Sequence, residues 1–298
     1  MSILLPTVAT SQGSAFVSIR EFIKPFQKDR SSYTFLAEQG GVFTSDNGIC
    51  YTIPPSAFTT RWGRALKDEI TLQILEVRSK RNLFFLGKSS LSNNQLLDVD
   101  LAINLHIPEQ TGKGIFQQLP IRCEVQVPKQ QRVASLQLFE ENISKTKSIF
   151  SEEEVDWSPS PYSVLIEKSF NEKTLNFSIR QMGTVLLAKH RNQNRKLKNL
   201  AMFSVEVSPA MSEMEDLQAF LVFHESNSIV ALRAHRNRFS AFHLPQGAKA
   251  TLLVVGLKDG QFFLFKSFIE KINSELKKAP LKEISEKDLR ITLENMIF

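Results

Sequence analysis

Apolar residues recur at every second position through most of this chain. Leu101, Ile103, Leu105 and Ile107 alternate with Ala102, Asn104 and His106; Ile121, Cys123, Val125 and Val127 alternate with Arg122, Glu124 and Gln126. A period of two puts one set of side chains on each face of an extended strand. The same pattern runs through Ile70–Ile74 and through stretches such as AMFSVEVSP, LQAFLVFHES and KATLLVVGLKDG. Asp46-Asn47-Gly48 and Lys258-Asp259-Gly260 read as hairpin turns, where left-handed backbone is needed. Gly40-Gly41 marks another such place, and Pro54-Pro55 ends a strand because neither proline donates a ladder hydrogen bond. Short strands broken by Gly, Pro and Asn predict an all-β fold: two consecutive β-sandwich domains with a short C-terminal helix.

Residues 143–164 turn polar, then acidic, then proline-rich, which marks a domain boundary. The expected division is an extended lead-in over 1–29, a first sandwich over 30–157, an immunoglobulin- or transthyretin-like second sandwich over 158–280 and a terminal helix over 281–298. In the lead-in, Phe16, Ile19, Phe22, Ile23 and Phe26 would fit one helical face, but Pro25 interrupts it and favours extended chain. At the other terminus Ser285 with Asp288 approximates a capping box, and Leu289, Leu293, Met296 and Ile297 form one stripe. That helix is expected to dock on the second sandwich.

Composition sharpens this picture. Phenylalanine, at 23 residues against 3 Tyr and 2 Trp, points to core filling rather than to a stacking platform for sugars or bases. The net charge of +6 is uneven: residues 1–165 carry 17 basic and 17 acidic side chains, and residues 166–298 carry 20 and 14. Such a surplus attracts anions, though solubility alone accounts for it. Cys50 and Cys123 form no CxxC pair, so no zinc site is expected, and each sits in an alternating run as a separate buried thiol. No run of about 18 apolar residues occurs, so no transmembrane segment is expected. The N-terminus, with an uncharged start cut by Pro6, does not read as a signal peptide.

Catalytic signatures are missing. Leu86–Ser90 (LGKSS) lacks the first glycine of a phosphate loop, with Asn82 in that place, and His224-Glu225 lacks the second histidine of a zinc protease. Glu152, Glu153, Glu154 and Asp156 lack the alternation of a calcium loop and read as a solvated linker. His190, His224, His235 and His243 all fall in the second half and read as scattered structural histidines. The candidate contact residues are basic: Lys189, Arg191, Arg195, Lys196 and Lys198 in one segment, Arg236 and Arg238 in another. Joined in space they would suit an anion, although aromatic interleaving for nucleic acid is almost absent.

The stretch EQGGVFTSDNGICYTIPPSAF, followed by GRALKDEITLQILEV, resembles the β-sandwich module shared by ankyrins, netrin receptors and tight-junction scaffolds. There a Gly-Gly strand, a hairpin and an Ile-Pro-x-x-Ala-Phe corner recur in this order. The nearer likeness is to uncharacterised Bacteroidota surface proteins with a divergent copy, whose module end is similar to the segment closed by Trp157. Their C-terminal half is similar to Ala219–Val230, Pro245-Gln246-Gly247 and Lys258-Asp259-Gly260. The resemblance implies a non-enzymatic binding or assembly module of the cell surface or of a secretion-related complex. The expected partner is a protein, with a glycan as the second class; nucleic acid is not expected, and neither is a cofactor. Some animal relatives cleave themselves at His-Phe-Ser. Here Asn176-Phe177-Ser178 keeps the last two letters, which makes self-cleavage at Phe177-Ser178 one alternative and anion binding by the basic segment another.

Overall fold

A computed structural model describes residues 16, 18–26, 28–93, 95–108, 114–128, 133, 135–143, 155–162, 164–168, 172–191, 200–208, 213–235 and 238–295. Helix α1 (Ile19–Ile23) continues as a 3-10 turn to Phe26. The first part of the chain then forms β1 (Ser31–Leu36), β2 (Gly41–Thr44), β3 (Ile49–Ile53), β4 (Phe58–Thr60), β5 (Glu69–Val77), α2 (Lys80–Leu86), β6 (Leu91–Ser92), β7 (Gln95–His106), β8 (Ile115–Gln117), β9 (Ile121–Pro128), β10 (Gln137–Ile143) and β11 (Val155–Pro159). There follow β12 (Leu165–Lys168), β13 (Glu172–Ile179), β14 (Gly183–His190), β15 (Leu200–Ser208), β16 (Asp216–Phe223), β17 (Ile229–Ala231), β18 (Arg233–His235) and β19 (Arg238–Pro245). The chain ends in β20 (Ala250–Lys258), β21 (Gln261–Ile269), β22 (Leu276–Pro280), β23 (Lys282–Ile284) and α3 (Glu286–Glu294).

Four sheets stack as four layers. The first is ordered β12-β13-β9-β3-β2, the second β1-β5-β7-β14-β10-β11 with β6 beside β7, the third β17-β16-β20-β21-β23 and the fourth β18-β19-β15-β22. Layers one and two enclose one core, where Ile49, Tyr51 and Ile53 meet Leu101, Ile103 and Leu105. Layers three and four enclose another, where Phe203 and Val205 meet Leu221, Leu252 and Val254. The fold is all-β, two sandwiches with a short C-terminal helix.

The boundary between them differs from the sequence expectation. Strands β12–β14, expected to open the second sandwich, complete the first. β13 pairs with β9, and β14 lies between β7 and β10. The first sandwich therefore runs to His190. The polar stretch before Trp157 is a long excursion within one domain, because a strand's partner is set by long-range pairing that local composition does not encode.

A third apolar cluster joins the two sandwiches. Leu75, Val77, Val99 and Leu186 on the back of layer two meet Phe220, Val222, Leu253 and Val255 on the back of layer three. A bulge in β7 makes this possible. Leu187 faces Leu101 while Ala188 faces Val99, so Asp100 is an extra residue. One inserted residue reverses which side chains point to which face. Leu101, Ile103 and Leu105 thus enter the first core, and Leu97 and Val99 enter the seam.

The lead-in is helical where extended chain was expected. Ser18 caps α1 by accepting from the Glu21 amide. Ile19, Phe22 and Ile23 sink into the seam, and Pro25 is carried by the 3-10 turn that follows. Here the apolar face outweighs the proline. Much of the phenylalanine excess is seam: Phe22 lies 4.6 Å from Phe262, Phe26 stacks on Phe85 at 5.2 Å, and Phe84 meets Phe220 edge-on at 5.0 Å. Helix α2 ends at Gly87, whose φ of 70° caps it in left-handed backbone. Helix α3 starts at Ser285, which accepts from the Asp288 amide at 3.0 Å. Leu289 and Leu293 are buried in the seam, and the Arg290 guanidinium lies 5.0 Å from the Phe26 ring. Met296 and Ile297 lie outside the described residues.

Candidate functional site

The expected basic contacts divide in space. Lys189, one residue before the end of β14, pairs with Asp98 at 3.3 Å; Arg191 pairs with Glu225 at 2.7 Å. The first pair joins neighbouring strands of layer two and the second reaches from the first sandwich to the second, so these cations are already engaged. Arg238 opens β19 on the outer face of layer four, in register with His235 on one side and Glu206 on the other. Arg195, Lys196, Lys198 and Arg236 lie outside the described residues.

The Asn227-Ser228 pair, part of the resemblance, is a polar clip. The Asn227 side chain donates to the carbonyls of Arg78 (2.9 Å) and Val99 (2.6 Å), and its backbone N–H donates to Asp98 (2.8 Å). Ser228 donates to the Leu97 carbonyl at 2.6 Å. The bonds to Val99 and Leu97 satisfy main-chain carbonyls of β7 beside its bulge.

The histidines do not gather. His190 packs edge-on to Phe139, and burial lowers its pKa. His224 Nε2 lies 2.9 Å from Thr251 Oγ1; burial first, then Lys80 and Lys249, hold its pKa down. His235 is exposed on β18, and His243 takes a φ of 57° at a bulge in β19. Among the described residues no group of three or more His, Cys, Asp or Glu is placed to hold a metal ion, and no helix is long and apolar enough to cross a membrane. Cys50 and Cys123 are free thiols. Their strands are neighbours, yet Cys50 faces Glu124 while Cys123 faces Tyr51, which puts the two sulfurs on opposite faces. Burial raises the Cys123 pKa well above the ordinary thiol value. Phe177 and Ser178 sit in regular pairing with Cys123 and Arg122, and Asn176 pairs with Glu124 and Leu165.

A different surface stands out, the end of the first sandwich where β1, β3, β7 and β13 finish. Six of the twelve exposed large apolar side chains among the described residues belong to it: Leu36, Val42, Trp62, Phe116, Leu119 and Tyr162. Trp62 is 75% exposed at the turn after β4, with the Arg61 guanidinium 4.6 Å from its ring centre. Phe116, 56% exposed, lies on the paired strand β8. The Arg180 guanidinium covers Tyr162 at 3.7 Å. Gln117 donates to the Ile179 carbonyl at 2.6 Å and holds the β4–β8 pair to the sandwich.

Beside this tip is an open, largely apolar groove of about 570 Å³, floored by Val42 and Thr52 and walled by Pro54, Pro55 and Leu119, with Arg122 at its rim. The Pro-Pro corner thus ends β3 and also builds a surface. Its glycine is constrained. Gly40 has a φ of +68°, and a Cβ there would lie 2.3 Å from the Ile53 carbonyl oxygen. Ser56 holds a φ of 57° in the same corner, an uncommon conformation for a residue with a Cβ. Sequence reasoning reads this stretch as architecture only. The signal available was Trp62 between two arginines, a large ring in a polar turn.

Comparison with protein-family models and with curated proteins gives no match for this chain.

Proposed function

We propose that the protein is a non-enzymatic binding module that docks a protein partner through the far end of its first sandwich. The observation that carries this reading is the concentration of uncovered Trp62, Phe116, Leu119 and Val42 beside a preformed groove. Exposed contiguous apolar surface costs solubility and marks interaction sites in soluble folds. Tryptophan and arginine, here Trp62 with Arg61 and Arg64, are the side chains that most often dominate protein interfaces. Exposed aromatic side chains beside an open groove suit a protein partner better than a small ligand, which prefers an enclosed pocket. On the resemblance of the Gly40–Phe58 stretch, the partner would belong to a cell envelope or a secretion assembly.

A photo-cross-linking side chain placed at Phe116 tests the reading, with one at Leu276 on layer four as control. One protein should be captured at position 116 in native cells and not at position 276. Equal labelling at both positions, or none at either, would sink the proposal.

A further inference from the structure

We infer that the far end takes its partner as an added β-strand: an extended acidic segment that pairs with the free edge of β2. The inference deepens the docking reading above and rests on it.

Strand β2 is the last strand of layer one and, among the described residues, pairs only with β3. Its register shows which main-chain groups are unused. The Ser45 N–H donates to the Ile49 carbonyl at 2.9 Å, so Ser45 and Ile49 are a hydrogen-bonded pair. Such pairs alternate along an antiparallel ladder. Phe43 and Gly41 are therefore bonded to Tyr51 and Ile53, while the N–H and C=O of Val42 and Thr44 point away from β3 to the open side. Two donor and acceptor sets are presented in line.

Along its four residues this edge carries neither charge nor proline, and no described strand covers it. Sheets protect exposed edges with charge, proline or covering chain. Among the described edge strands of the two outer layers, β12 carries Glu167, β18 carries Arg233, and β22 carries Lys277, Lys278 and Pro280. β2 reads Gly-Val-Phe-Thr, with Val42 70% exposed. The edge also adjoins a receptacle for side chains. Val42, Thr52 and Arg122 form one cross-strand row on the outer face, and that row is the floor and rim of the groove. A strand added beside β2 would place alternate side chains on this face, because extended chain repeats every second residue. An aliphatic or aromatic side chain opposite Val42 would fill the groove against Pro54 and Leu119. Among the residues that form the groove, Arg122 alone is charged, and it stands on β9, two strands in from β2, so a long acidic side chain reaching across the groove towards it is favoured by charge. Main-chain bonds with side-chain pockets constitute strand addition, a recurrent mode of peptide recognition.

The probe is a displayed library of short linear peptides selected on the full chain. Enriched sequences should alternate apolar residues and carry Asp or Glu, and affinity is then read by fluorescence anisotropy. Val42→Pro removes an outward N–H and leaves the β2–β3 bonds in place. It should weaken binding at least about tenfold, the scale of one or two lost hydrogen bonds. Arg122→Gln should weaken the acidic peptide and leave its amide counterpart unchanged. Should Val42→Pro fail to fold, hydrogen exchange on the native chain decides the same question, since bound peptide should protect the Val42 and Thr44 amides. A selected peptide that binds at the groove with these amides still exchanging and Val42→Pro affinity unchanged would overturn strand addition, yet leave docking at this end standing. A library that enriches nothing would overturn the inference, and cross-linking at Phe116 would test the docking reading separately. Dimerisation of the chain that Val42→Pro abolishes would overturn it in favour of a second copy.

Discussion

The two tryptophans of this chain occupy regions with opposite physics. Trp157 is fully buried where layer two meets the seam, its indole N–H donating to the Ser89 carbonyl at 2.6 Å. Trp62 stands in solvent at the far end of the same sandwich. Each region has a large ring, neighbouring arginines or lysines and a proline-bearing corner. What differs is cover. The seam receives α1, α2, α3 and strands of layer three, while at the far end Trp62 and Phe116 stay more than half exposed. Similar side chains act as core in one place and present a docking surface in the other, and the difference is made by chain far away in sequence.

Four measurements break or sharpen that contrast. Trp157→Ala should have the largest effect, a loss of about 3–5 kcal/mol in denaturant unfolding, because a buried ring leaves a cavity and the Ser89 carbonyl loses its donor. Asn227→Ala comes next. It removes the donors to Arg78 and Val99 and should cost about 1–3 kcal/mol. Calorimetry should show one unfolding transition for the parent and two for the variant, as the sandwiches uncouple.

The third effect is on pH. Burial lowers the folded-state pKa of His190 below the ordinary value of about 6.5. As pH falls through the unfolded value, the unfolded chain takes up a proton that the folded chain refuses. Stability is therefore full above that value and declines on acidification, until the folded pKa is reached. His190→Gln should flatten the fall in Tm below neutrality, leaving the smaller slope due to His224, which is shifted in the same direction. The smallest effect belongs to Trp62→Ala, whose stability should stay within about 0.5 kcal/mol of the parent. Its partner binding should nevertheless be lost; a large fall in stability would mean that Trp62 is core after all.

Much of the strand content was legible. Ile49, Tyr51 and Ile53 alternate because one face is core, and Asp46-Asn47-Gly48 closes the β2–β3 hairpin with Gly48 at a φ of 76°. Ser285 announced α3 through its side chain. Other features were hidden for definite reasons. The place of β14 between β7 and β10 depends on partners some 50 to 90 residues away. Helix α1 depends on a seam that exists only once both sandwiches have formed. The far end was hidden because Val42, Leu119 and Pro54 are ordinary singly and become a surface only when three strand ends converge. The basic segment was easy to see in sequence, yet Lys189 and Arg191 turn out to face Asp98 and Glu225.

The place of β14 has a consequence for synthesis. A nascent polypeptide of this protein exposes β7 and β10 with a gap between them until residue 190 has left the ribosome, and the back of that sheet stays bare until Phe262 and Leu289 arrive to cover it. Non-local pairing of this kind is slow and leaves greasy edges open to other chains meanwhile. Premature termination anywhere before the last helix should therefore yield inclusion bodies in place of a smaller soluble fragment, and efficient production should depend on chaperones that hold the unfinished chain.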